Sequence, residues 1–253
     1  MSTSTLRSLA LLVATSVGVS ATASGQDNLA RTYNVTPKAG MGAQFETALR
    51  EHAQWRAANN DPWSWSVSVP ETGENVGTYG IRSGGHSWAD FDAYHAGFGP
   101  QGLVHWNATV APLVELVAST IGRTNEDLGQ LPPDGFDLAF VTITRFQLRP
   151  GRANEFNQLV GQAMEILKEG GFPGYWVWTS PVSGGGPGPY ISVVGLNSSW
   201  EDMADPDPSF EAVMMAKLGE EGFMEWTNKF GATYRGVESW TRRLRPDLSV
   251  PSN

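Results

Sequence analysis

The chain has no cysteine, which excludes disulfides, thiolate chemistry and lipid attachment at a cysteine. Such a chain is compatible with an oxidising compartment. Basic residues are few: 17 Lys and Arg stand against 26 Asp and Glu, and none of them form a basic run. That balance makes a poor partner for nucleic acid or for an anionic membrane surface. G-x-G-x-x-G, the P-loop, G-x-S-x-G and H-E-x-x-H are all missing. The glycine-rich stretch Gly184-Gly185-Gly186-Pro187-Gly188 lacks a lysine and a following helix, so it reads as a hairpin loop rather than a phosphate cradle. No cofactor and no metal is read from these residues.

Long hydrophobic runs are also scarce. One lies at the start, where Leu9 to Ala21 is uncharged, follows Arg7, and ends in the small-x-small patterns Ala21-Thr22-Ala23 and Ala23-Ser24-Gly25. It is short for a membrane span and no stop-transfer pattern follows. Residues 1–25 therefore read as a cleaved signal peptide, with an uncleaved anchor as the alternative, and the expected location is periplasmic or secreted. Cleavage leaves 16 basic against 26 acidic residues and no membrane attachment.

What is present is repetition. Phe45 pairs with Phe156, Pro62 with Pro173, Trp65 with Trp176 and Pro70 with Pro181, all at a spacing of 111. Ser87-Trp88-x-Asp90 pairs with Ser199-Trp200-x-Asp202 at 112, and Trp106 with Trp226 at 120. Anchors of rare residue types at one offset mark a duplication. In the second copy, Leu138 to Leu148 alternates as a strand, and Phe156 to Leu167 recurs at helical spacing until Gly170-Gly171 ends it. Gly174 to Thr179 and Tyr190 to Leu196 follow as strands. Ser199 can cap a short helix, Phe210 to Lys229 is helical, and Val237 to Leu244 is the last strand. The first copy repeats this βαββαβ order. The chain divides into a signal at 1–25, repeat 1 at 28–127, a linker at 128–136, repeat 2 at 137–247 and a tail at 248–253.

A βαββαβ unit with a strand-Pro-Gly-helix start (Arg149-Pro150-Gly151), a Ser-Trp-x-Asp turn and a late-helix Trp resembles the dimeric α/β-barrel superfamily. That group includes small monooxygenases and NIPSNAP-like domains. The resemblance implies an α+β fold in which two ferredoxin-like repeats form an intrachain dimeric α/β-barrel. It also implies that haem binding occurs in the wider group. Further self-association stays open.

All four histidines fall in repeat 1, and Ala163, Ser198, Asp207 and Glu225 occupy the matching places in repeat 2. His52 lies at i+7 from Phe45, so α-helical geometry turns it toward the sheet. It reads either as a base in a cavity or as a hydrogen-bonded core histidine. His86, His95 and His105 could converge on a cation or sit apart on loops and helix surfaces. The second strand puts Trp63 and Trp65 on one face and Ser64 and Ser66 on the other. The indoles either fill the core or line a cavity for a flat apolar guest, and the small serine face is expected to leave volume beside His52. Tyr33 and Asn34 could add polar contacts there. Three functions follow: a binder of a small apolar or aromatic compound in repeat 1, with Trp63, Trp65, Ser64, Ser66 and His105 as ligand contacts; a cofactor-free monooxygenase or isomerase with His52 as base and Tyr33 or Asn34 holding an oxyanion; or a non-catalytic structural domain.

Overall fold

The computed structural model describes residues 28–186 and 188–250, so the expected signal at 1–25 lies outside the described residues. Repeat 1 runs β1 (Leu29–Pro37), α1 (Gly42–Ala58), β2 (Ser66–Pro70), β3 (Tyr79–His86), α2 (Trp88–Ala96), α3 (Gly99–Thr109) and β4 (Val114–Gln130). Repeat 2 runs β5 (Phe140–Leu148), α4 (Ala153–Glu169), β6 (Tyr175–Ser183), β7 (Tyr190–Asn197), α5 (Phe210–Gly231) and β8 (Tyr234–Leu244). Each repeat orders its strands in the ferredoxin-like way, β4-β1-β3-β2 and β8-β5-β7-β6. The two sheets join at both edges into one closed eight-stranded barrel. β2 pairs with β8 from Ser68 opposite Leu244 to Pro70 opposite Arg242. β6 pairs with β4 around Thr179 opposite Thr124. Closure leaves neither sheet a free edge.

The helices α1 and α4 show why one pattern gives the same element twice. Phe45, Leu49, His52, Ala53 and Arg56 form the buried face of α1. Phe156, Val160, Ala163, Met164 and Leu167 are buried on α4 at the same spacing. Each face lies on the outside of its own sheet, building one apolar core per repeat. Inside the barrel is a separate lumen, lined by the alternate strand residues.

Three local expectations change. Trp63 is not in β2, because its backbone N–H goes to the Asp61 carboxylate at 2.9 Å and its ring stacks between His86 and Tyr94. Ser199 does accept the Asp202 N–H at 3.2 Å, but only a 3-10 turn (Glu201–Met203) follows. Pro206 and Pro208 stop further helix by excluding the residues before them from helical geometry. In repeat 1 the matching Ser87 and Asp90 form a full capping box on α2. The described part of the tail is not loose. Leu248 and Val250 are buried in the core of repeat 1, and Val250 bridges Trp65.

Candidate ligand-binding site

The two compartments between helices and sheet have the same walls and different contents. In repeat 1 the space is occupied by polar and aromatic side chains. His52, 1% exposed, meets His105 of α3 through a Nδ1 to Nδ1 hydrogen bond of 2.8 Å. His105 stacks on Trp55 at 4.3 Å, and His52 packs against Trp65 and Trp106 at 5.5 Å. Arg56 lies 3.8 Å over the Trp65 ring, pairs with Asp61, and donates to the Tyr94 hydroxyl at 3.1 Å. Burial, helped by the nearby charge of Arg56 and by His105, pushes His52 down to about 3. His52 is therefore a neutral core histidine at ordinary pH, far from the value that suits a base near pH 7.

The other candidates of repeat 1 do not gather around it. Tyr33 and Asn34 are successive residues of β1, so they point to opposite faces: Tyr33 packs on the helix-side core and Asn34 lines the lumen. Ser66 also lines the lumen. The volume expected beside His52 therefore lies across the sheet from it, and that expectation is corrected. Ser64 precedes β2 and accepts the Ser83 hydroxyl on its carbonyl at 2.6 Å. Trp65 faces the helix side, and Trp63 belongs to a small cluster with Leu29 and Phe91. His86 bonds Ser83 at 2.7 Å and His95 meets the Phe91 carbonyl at 3.1 Å. Among the described residues, no three potential ligands come together for a metal ion.

In repeat 2 the same compartment holds a cavity of about 400 Å³. Ala163 stands where His52 does, Leu167 where Arg56 does and Phe172 where Asp61 does, all at the spacing of 111. Ala163 leaves the room of an imidazole, and Leu167 and Phe172 bring no polar group into it. Trp176 and Trp178 of β6, and Phe210, Trp226 and Phe230 of α5, form the aromatic walls. Helix α5 reaches around the cavity by a break at Gly219, where φ of 72° demands glycine. Trp176 donates its indole N–H to the Leu128 carbonyl at 2.9 Å and Trp226 to the Leu159 carbonyl at 3.2 Å. The Trp178 indole N–H is buried without an acceptor. Asn197 and the exposed Asp202 mark the polar side of the lining. Hydrogen bonds from Ser198 and Ser199 hold the Asp202 carboxyl below its usual range. The lining contains no histidine and no cysteine, so it does not fit an iron porphyrin held by imidazole or thiolate. It fits an organic guest held by shape and apolar contact.

No family model and no curated protein matches the chain in sequence. Solved structures do match in shape. An anthrone oxidase-like protein aligns with a TM-score of 0.53 at 12% identity, covering 87% of this chain and 92% of that one. A protein provisionally named a monooxygenase, from Lactobacillus acidophilus NCFM, aligns at 0.55 with 8% identity, covering 90% and 97%. A similarly named protein from Fusobacterium nucleatum aligns at 0.57 with 11% identity, covering 86% and 92%. The chain has the dimeric α/β-barrel fold. Both halves of the barrel come from one chain, as the duplication and the family resemblance together implied.

The main residues that the sequence did not single out are Leu167 and Phe172. Their signal was the pairing itself: Leu167 stands at the place of the buried Arg56 and Phe172 at that of the buried Asp61.

Proposed function

We propose that this is an exported barrel protein that binds, or acts on, a flat apolar or aromatic compound in the compartment between α4, α5 and the repeat 2 sheet. The observation that carries the reading is the 400 Å³ aromatic-walled cavity at Ala163. Apolar burial drives such binding and a wall of indoles suits a flat guest. The location shifts from repeat 1 to repeat 2, because the repeat 1 compartment is occupied by the His52, Trp55 and His105 stack. The names of the structural relatives add anthrone-like tricyclic ketones to the candidate guests. A catalytic reading with His52 as base has no support in the geometry, since His52 is neutral, enclosed and in the other repeat. A purely structural domain has no need of a cavity of this size.

The test is titration of the purified protein with anthrone, followed by tryptophan fluorescence. Trp176, Trp178 and Trp226 line the cavity, so saturable one-to-one quenching is expected. Ala163→Phe fills the space and should abolish the quench while leaving the melting temperature equal or higher. Quenching of the same strength in Ala163→Phe, or none in the native protein, would sink the proposal. Oxygen uptake in the same titration separates turnover from binding.

A further inference from the structure

The barrel lumen is a second space, of about 460 Å³, on the opposite face of both sheets from the helix cores. Its lining is charged in an unusual way for a chain of net charge −9. Three arginines line it, Arg82, Arg145 and Arg242, with Glu126 as the only carboxylate among the lining residues. Glu126 accepts from the Asn28 amide at 2.6 Å. None of the three arginines makes an ion pair among the described residues. Arg82 and Arg242 are tied to the wall: Arg82 donates to Thr124 Oγ1 at 3.2 Å, and Arg242 to Ser68 Oγ at 2.9 Å and to the Ser68 carbonyl at 2.8 Å.

Arg145 is different. Its guanidinium is 4.4 Å over the Tyr190 ring and 5.0 Å from that of Trp240, and its buried Nε has no acceptor. Glu238, its ladder partner on β8, is exposed and makes no ion pair with it. An Nε–H buried without an acceptor is costly, and an anionic acceptor offsets that cost.

The register next to Arg145 defines the rest of a ligand. Arg145 faces Ser192 across the β5–β7 ladder. The next two lumen-facing pairs on the same ladder are Ile143 with Val194 and Val141 with Leu196. One cation and one hydroxyl are thus followed by two aliphatic rows, a track of about 13 Å along the strands. We propose that the lumen binds an amphiphilic carboxylate, its head group on Arg145 and Ser192 and its apolar body along the Ile143–Val194 and Val141–Leu196 rows. The site is separate from the compartment at Ala163, which lies on the other face of the same sheet.

The experiment is isothermal titration of the full mature chain with octanoate and, in parallel, with neutral 1-octanol. Octanoate is expected to bind one per chain and more tightly than octanol. Arg145→Gln should weaken octanoate about ten-fold or more, the scale of one charge-assisted hydrogen bond, and leave octanol unchanged. Saturating anthrone should not displace octanoate. Ser192→Ala supplies the second variant should Arg145→Gln fail to fold, with a smaller loss expected for octanoate alone. No heat with octanoate at millimolar concentration, equal binding of octanol, or octanoate affinity unmoved by these substitutions would overturn the assignment.

Discussion

Acid should unfold this protein early, through His52. The folded chain holds this imidazole neutral down to about pH 3, chiefly because it is buried and also because Arg56 and His105 lie close. The unfolded chain takes the proton near pH 6.5. Between those values the unfolded state binds more protons than the folded one, so stability falls as pH falls. The stability linked to neutral His52 is fully present above about pH 6.5 and is lost progressively toward pH 3. The slope is about 1.4 kcal/mol per pH unit once the unfolded histidine is protonated. From pH 7 to pH 5 the loss is about 2 kcal/mol, which lowers the midpoint of a chain of this size by about 4–8 °C. This window lies above the range where unfolded carboxylates take up protons, so Glu46 and Asp90, both held low by hydrogen bonds, contribute little to it. His86 is also lowered by burial and adds a loss of the same sign. The assay is therefore a comparison of thermal melts at pH 7, 6 and 5, at fixed ionic strength, for the native chain and His52→Gln. The variant should be less stable at pH 7 yet lose clearly less on acidification. Equal pH slopes in the two proteins would refute the account of His52 as a neutral core group.

Two further substitutions probe the packing that frames the compartments. Gly170 caps α4 against α5, and a Cβ there would overlap Val213 Cγ1. Gly170→Ala should cost about 1–3 kcal/mol, Val213→Ala in the same chain should recover part of it, and urea titration of the double-mutant cycle reads the coupling. Leu248 is fully buried in the core of repeat 1 although it follows the last strand of repeat 2. Leu248→Ala should cost about 2–5 kcal/mol in a thermal or urea melt. A loss under 0.5 kcal/mol would mean that this segment is not docked in solution.

The duplication and the strand and helix order were legible because they rest on periodicity and on rare anchors such as Trp65 with Trp176; the barrel was implied only by the family resemblance that this order carries. Contents of the compartments were harder to read. Strand alternation correctly separated Trp65 from Ser66, but alternation alone does not say which face turns to the helices and which to the lumen. That choice is made by closure of the barrel, a pairing of β4 with β6 and β2 with β8 that is non-local in sequence. The departure of Trp63 from its strand depends on the Asp61 carboxylate reaching forward two residues to accept its N–H, a local competition that periodicity does not register. Leu248 and Val250 looked like a tail because a few residues after a strand carry no period of their own.

The histidine asymmetry pointed to a contrast between the repeats, and the structure shows what that contrast consists of: a filled compartment in repeat 1 and an open one in repeat 2. A buried polar group is stable only with its partners, so such groups occur as sets. His52 needs His105, and Arg56 needs Asp61 and the Trp65 face. Repeat 2 lacks the whole set at once. Where His105 would stand, Glu225 is on the surface, paired with Lys229 at 2.6 Å. Returning a single histidine at Ala163 would therefore bury an imidazole with nothing to bond it. The same logic explains why the space stays open: Ala163, Leu167 and Phe172 have no hydrogen-bonding demand that water or a side chain could meet, and an apolar void of this kind is best filled by an apolar guest. A histidine marks where this scaffold is occupied, and its absence from the matching position marks where it has room.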